Sequence, residues 1–182
     1  MRHLASTSSL IFSFLLFCCS LWTGCGLLPM QFATHSAPDQ SYSLRVPSDL
    51  TPVTSPDENL ILQLGDAYRD FYLALRRDSI AALQRTYPTW DLMDYYDFHM
   101  ENLVQDIQDA VAPGPDSVVV GGHPALYGIY QGYFKGDPLV FRLAVVEATD
   151  HQYQLLMWAR QDQAEEMLPL MDSILYSFQT FP

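Results

Sequence analysis

SVVVGGHPALYGIYQGYFKGDPLVFRLAVVEATDHQYQLLMWARQDQAEEMLPLMDSILYSF, Ser117–Phe178, decides the fold. Val118-Val119-Val120 leads through Gly121-Gly122-His123-Pro124 into Ala125–Phe134, and Lys135-Gly136-Asp137-Pro138 turns the chain into Leu139–Glu147. Ala148-Thr149-Asp150-His151 turns it again, into Tyr153–Arg160. Runs rich in Val, Leu, Tyr and Phe separated by turn residues predict antiparallel hairpins. In Leu139–Glu147 one parity holds Leu139, Phe141, Leu143 and Val145, the other Val140, Arg142, Ala144 and Val146. In Tyr153–Arg160 the sets are Tyr153, Leu155 and Met157 against Gln154, Leu156, Trp158 and Arg160. Neither strand has a purely polar face, so the sheet needs cover on both sides.

Two helices are available to cover it. Thr89–Val111 carries Leu92, Tyr95, Tyr96, His99, Leu103, Ile107 and Val111 at spacings of three and four, one apolar stripe. Thr89 is a candidate cap, and Ala112-Pro113-Gly114-Pro115 ends the helix. Asp162–Phe178 has Met167, Leu168, Met171, Ile174, Leu175 and Phe178 at helical spacing. Pro169 falls inside it, which predicts a break or restart there.

Upstream, Tyr42–Val46 alternates as a first strand ended by Pro47, Ser48–Asn59 is a proline-bearing loop, and Leu60–Leu64 is a second strand. Asp66–Leu83 reads as strand or helix on its residues alone.

The first residues have a different character. Met1-Arg2-His3 precedes the apolar run Leu10–Trp22, which is shorter than the roughly 20 residues a bilayer core demands and fits a secretory signal. It ends in Leu21-Trp22-Thr23-Gly24-Cys25, which resembles the bacterial lipobox, with Trp22 where that pattern usually has Leu. On this reading residues 1–24 are removed and Cys25 becomes a lipidated N-terminus, held in a membrane by its acyl chains, palmitate among them. A plain signal peptide cut near Gly24 is the alternative. Residues 26–40, without periodicity, read as a flexible tether, and His35 in it as a solvated residue. The expected divisions are therefore 1–24 signal, 25–40 lipidated N-terminus and tether, and 41–182 folded domain. The expected location is a bacterial cell envelope, on the periplasmic face or the cell surface.

Composition excludes several chemistries. The formal charge is −12 and Lys135 is the single lysine, which argues against nucleic-acid and anionic-lipid surfaces. The three cysteines are Cys18, Cys19 and Cys25, so disulfides and thiolate sites are ruled out of the folded part. There is no Walker loop, dinucleotide fingerprint, Gly-x-Ser-x-Gly elbow or His-Glu-x-x-His spacing. We therefore expect no cofactor, no metal and no enzyme. Gly128 and Gly132 read as glycines that make room for aromatics across the sheet. His99 reads as a core or boundary histidine. His123, Tyr127, Tyr130, Tyr153 and Trp158 are the candidate binding residues, with an ordinary aromatic core as the alternative. A catalytic site would have to draw on His123 and His151, and it fails if they lie at opposite ends of the sheet.

Three pieces carry a family resemblance: Asn59–Asp78 with Tyr68-Arg69-Asp70-Phe71-Tyr72-Leu73; Gly122–Gly136; and Val145–Phe178, with Val146-Glu147, Asp150–Gln154 and Trp158 before a helix closing on Ser177-Phe178. Their order resembles the PsbP-like superfamily, in particular the bacterial envelope lipoproteins of DcrB type, over roughly Ser41 to Thr180. The resemblance implies an α+β fold with a central antiparallel sheet flanked by helices, and it favours a strand over Tyr68–Arg76. It also implies a mostly non-enzymatic module that binds or supports an envelope partner. A small-ligand or lipid carrier, with a pocket between sheet and helix, is the second reading.

Overall fold

The computed structural model describes residues 30–54, 57 and 59–181. The chain divides into two compact units, 1–31 and 32–182, and Cys25 and the expected signal segment, 1–24, lie outside the described residues. The second unit holds every described element. In chain order these are β1 (Phe32–Ser36), β2 (Tyr42–Pro47), β3 (Thr51–Pro52), β4 (Leu60–Asp66), β5 (Phe71–Ser79), α1 (Ile80–Thr86), α2 (Leu92–Gln105), β6 (Gln108–Val111), β7 (Asp116–Val120), β8 (His123–Phe134), β9 (Asp137–Glu147), β10 (His151–Arg160), a 3-10 turn (Gln161–Gln163), α3 (Ala164–Tyr176) and β11 (Gln179–Thr180).

Eight strands make the main sheet in the order β3-β4-β5-β10-β9-β8-β6, with β7 also paired to β8, and β1-β2-β11 make a smaller one. Every pairing is antiparallel. The turns follow from backbone sterics: Gly121-Gly122 and Lys135-Gly136 all have positive φ, as two-residue hairpin loops require. Turn geometry thus accounts for the Gly-Gly pair before His123.

The parity read from the sequence sorts the two faces. Val140, Ala144, Val146, Tyr153, Leu155 and Met157 pack with Leu44 and Val46 of β2 and with Met167, Met171, Ile174 and Leu175 of α3. Phe141, Leu143 and Val145 pack instead with Tyr95 and Tyr96 of α2. Each fully buried Leu, Ile or Met here contributes about 2 kcal/mol. The sheet is covered on both faces because both parities are apolar, and the fold is α+β.

Several boundaries differ from those expected. Phe32–Ser36, placed in the tether, forms β1 against β2, with His35 opposite Leu44. The strand expected over Tyr68–Arg76 begins at Phe71 and runs to Ser79, because Asp66 caps the turn before it by accepting from the N–H groups of Tyr68 (2.8 Å) and Arg69 (3.3 Å). The cap of α2 is Asp91, not Thr89: its carboxylate accepts from the N–H groups of Met93 and Asp94, and Asp94 accepts from Asp91 N–H, a reciprocal box. This helix stops at Gln105, six residues early, since Gln108–Val111 bonds to β8 instead and Val111 is exposed. The break expected at Pro169 is not there; α3 runs through it. Pro169 lies within the first two turns, where it forgoes one hydrogen bond, to Glu165, while Met167, Leu170, Met171, Ile174 and Leu175 stay buried.

One charge sits among the apolar groups. Arg142, 3% exposed, stacks 4.8 Å over the Tyr127 ring and pairs with Asp172 of α3. Asp172→Ala is expected to cost about 2 kcal/mol by leaving a buried guanidinium unpaired. Asp172→Ala with Arg142→Met should recover most of it in urea unfolding.

Candidate functional site

Helix α2 makes its closest contacts with β8 and β9, so the same face of β4, β5 and β10 is left as the floor of a groove beside it. Register builds that floor: Gln154 and Leu60 both sit opposite Arg76, Leu156 and Gln63 opposite Ala74, and Trp158 opposite Tyr72. Phe98, His99, Asn102 and Leu103 of α2 form the wall, Asp57 also lines the space, and the volume is about 510 Å³. Leu103, Leu156 and Trp158 also line a separate apolar concavity of about 200 Å³, together with Ile107, Phe134, Leu139 and Phe141, with Asp106 at its side.

The polar end is held by a chain of bonds. Arg76 Nε donates to Asp78 (3.0 Å), and Tyr95 Oη donates to the same carboxylate (2.7 Å). Burial, then the Asp78 charge, raises the Tyr95 pKa above its ordinary value. His99 is 5% exposed, and its Nε2, like Gln63 Oε1, is buried without a hydrogen-bond partner. Burial first, and the Arg76 charge second, lower the His99 pKa to about 4 against a weaker opposing pull from Asp78. His99 is therefore a neutral imidazole at neutral pH, with an unanswered nitrogen.

An aromatic ladder flanks this wall. Tyr87 and Trp90 stack with ring centres 3.8 Å apart, and Phe98 lies 5.3 Å from Trp90. Tyr87, Met93 and Phe98 are each about 40% exposed. Sequence reasoning passed over these residues; the available signal was two aromatics, Tyr87 and Trp90, just ahead of the capping Asp91.

A second concavity, about 480 Å³, brings His123 and His151 together, with Asp39, Ser41, Arg77, Asp150, Tyr153 and Thr180. The two histidines do not lie at opposite ends of the sheet. The groups around them are already engaged: His123 Nε2 is 2.9 Å from Thr180 Oγ1, and Arg77 donates to Asp39 (3.0 Å) and Ser41 Oγ (2.7 Å). Ser41 Oγ also donates to Asp39 (2.6 Å), a bond that, with Arg77, holds this carboxyl well below the usual carboxylate range. The only described hydroxyl bonded to a histidine here belongs to Thr180 at a strand pairing, and Ser41 is oriented by a carboxylate of low basicity and a guanidinium, not by an imidazole. These bonds tie β5 to the 39–41 turn and β8 to β11.

The five candidate binding residues are thus divided. Trp158 lines the groove, and His123 and Tyr153 the second concavity, where Tyr153 also packs edge-on to Phe178 in the core. Tyr130 is buried under α2, its phenol pushed up to about 12 by burial, and Tyr127 is on the opposite face beside Arg142. Among the described residues no three His, Cys, Asp or Glu side chains converge as metal ligands, and no helix is long and apolar enough to cross a membrane.

No protein-family model matches the sequence, nor does any curated protein. Solved structures do match. Cyanobacterial PsbP (CyanoP) from Synechocystis sp. PCC 6803 is similar with a TM-score of 0.65 at 13% identity, over 86% of this chain and 96% of that one. LpqN of Mycobacterium tuberculosis, described as involved in cell envelope biogenesis, gives 0.57 at 13% identity, over 85% and 92%. PA94 of Pseudomonas aeruginosa, a protein of unknown function described as a putative regulator, gives 0.53 at 14%, over 84% and 99%. The chain has a PsbP-like fold.

Proposed function

We propose that this chain, a PsbP-like domain behind an acylation signal, is a lipid-anchored protein of a bacterial cell envelope whose folded part binds or supports another envelope component without catalysing a reaction. The observation that carries the binding reading is the exposed aromatic ladder Tyr87–Trp90–Phe98, standing beside a sheet face that α2 covers incompletely. Apolar aromatic surface of this kind is costly to leave in water and is the composition that interfaces concentrate. Leu21–Cys25 supports the anchor, and the envelope role described for LpqN is consistent with the location.

Two measurements test this. Radioactive palmitate should label the wild-type chain and not Cys25→Ala. A photocrosslinking amino acid at Met93, beside the ladder, should give a discrete adduct in intact cells, and one at Glu166 on α3 should not. Equal adducts from both positions, or none from either, would remove the binding reading. The carrier reading is favoured by one observation, the cavity between sheet and helix.

A further inference from the structure

We propose that the exposed face of α2, together with the aromatic ladder at its start, docks a basic segment of a partner protein in which lysines and arginines are interleaved with apolar side chains. The inference rests on reading the domain as a binding module, and it names the chemistry of what that module holds.

The apolar part of this surface is the stack of Tyr87, Trp90 and Phe98, with ring centres 3.8 and 5.3 Å apart, and Met93. Tyr87, Met93 and Phe98 each stand about 40% exposed. Groups of this size in water favour a partner that sets apolar side chains against them.

Charge decides which partner. No lysine or arginine occurs anywhere in residues 86–134, whereas seven of the chain's 21 Asp and Glu residues do. At about 100° per residue around a helix, Asp97, Glu101 and Asp94 fall on the arc between Met93 and Phe98, and all five are exposed. Among the described residues no Lys or Arg pairs with any of these three acids, while Arg69, Arg76, Arg77, Arg142 and Arg160 are each matched by an aspartate elsewhere. Like charges three and four residues apart repel along a helix, and Glu101 also lies toward the negative end of its dipole. The acids thus work against the helix that carries them.

Cations interleaved with apolar groups answer both halves of this surface at once, and they steer the encounter as well as holding it. Nucleic acid and anionic lipid would be repelled. A second copy of this chain would bring arginines that are mostly committed already. A lone small cation would meet one carboxylate in water, whereas aromatics and acids here are spread along a helix about 20 Å long.

The experiment uses the full chain in intact cells with a benzophenone amino acid at Met93, and sequences the partner peptide in the adduct. That peptide should carry more Lys and Arg than Asp and Glu, with apolar residues among them. Asp97→Lys with Glu101→Lys should lower the adduct about tenfold, and Glu165→Lys with Glu166→Lys, on α3, should leave it unchanged. Because charge reversal could disturb α2, Asp97→Gln with Glu101→Gln is the second variant. It ends the repulsion on the helix, so the melting temperature should hold or rise while the adduct falls severalfold. Acids with a purely structural role would lower the melting temperature and leave the adduct unchanged. In isolated membranes the adduct should weaken severalfold between about 0.05 and about 0.5 M salt. An adduct to an acidic or uncharged segment, to a lipid or to a second copy of this chain would overturn the proposal, as would equal losses from the two charge reversals or no loss from either. A Met93 adduct that survives every charge change refutes the basic partner and leaves the binding module; no adduct from the wild-type surface refutes both.

Discussion

Gly128→Ala is expected to destabilise the domain by about 3 kcal/mol, from a single added methyl group. A Cβ at this position in β8 would meet the Tyr96 hydroxyl at less than contact distance and the Tyr130 hydroxyl at 2.7 Å, with Tyr130 Cζ at 3.1 Å. Neither ring has room to retreat. Tyr96 and Tyr130 are 1% and 2% exposed, Tyr96 belongs to a helix packed on the sheet, and their neighbours Leu143 and Val145 are fully buried. Both hydroxyls are buried without hydrogen-bond partners, so removing them costs little or is favourable. Tyr96→Phe with Tyr130→Phe should therefore be near neutral by itself and should recover much of the loss in the Gly128→Ala background, measured by urea unfolding. A Gly128→Ala protein as stable as wild type would mean that α2 does not sit on the sheet at this distance.

Stability should fall as the medium is acidified from about pH 6.5 to about pH 4, by a total on the order of 3 kcal/mol traceable to His99. The sign follows from where the proton goes. In the unfolded chain the imidazole has its ordinary pKa of about 6.5, whereas in the fold burial, aided by Arg76, holds it to about 4. Between these values the unfolded state binds a proton that the folded state refuses, so acid favours unfolding; above the window both forms are neutral and below it both are charged. Tyr95 and Asp78 face the same histidine, and Asp78 opposes part of the shift. His99→Met should flatten the profile over this window, read as the difference in unfolding free energy between about pH 7 and about pH 4.5. A variant with the same slope as wild type would place the proton elsewhere. At still lower pH, protonation of carboxylates such as Asp39, held down by Ser41 and then Arg77, continues the decline in both proteins.

The sheet was legible because its signal is local. Paired parities in Leu139–Glu147 and Tyr153–Arg160, with turn residues at regular intervals, state both the strands and the need for cover on two sides. Gly128 was legible in the same way, a glycine between aromatics, and it does make room for Tyr96 and Tyr130. Gly132 makes room instead for Ile107 and the backbone of β6, which no local pattern announces. Helix ends were less legible. Thr89 and Asp91 are both competent caps, and Asp91 prevails because Asp94 returns its bond three residues on; Ile107 and Val111 continue the helical spacing by coincidence, one buried beyond the helix and the other exposed on β6. The groove could not be read at all. It depends on how far α2 stops short of β4 and β5, a rigid-body offset that no residue encodes by itself, and the sequence offers His99 as just another member of an apolar stripe.

The small sheet joins residues that leave the ribosome far apart in time. Ser43 pairs with Gln179 and Tyr42 with Thr180, Arg45 N–H donates to Ser177 Oγ at 2.8 Å, and Phe181 N–H donates to Ser41 at 3.0 Å. Synthesis or threading in either case delivers Leu44 and Val46 first and their latch last, so an incomplete chain shows an apolar strand edge with nothing native to pair with. Shielding that edge during the wait falls to whatever escorts the unfinished chain.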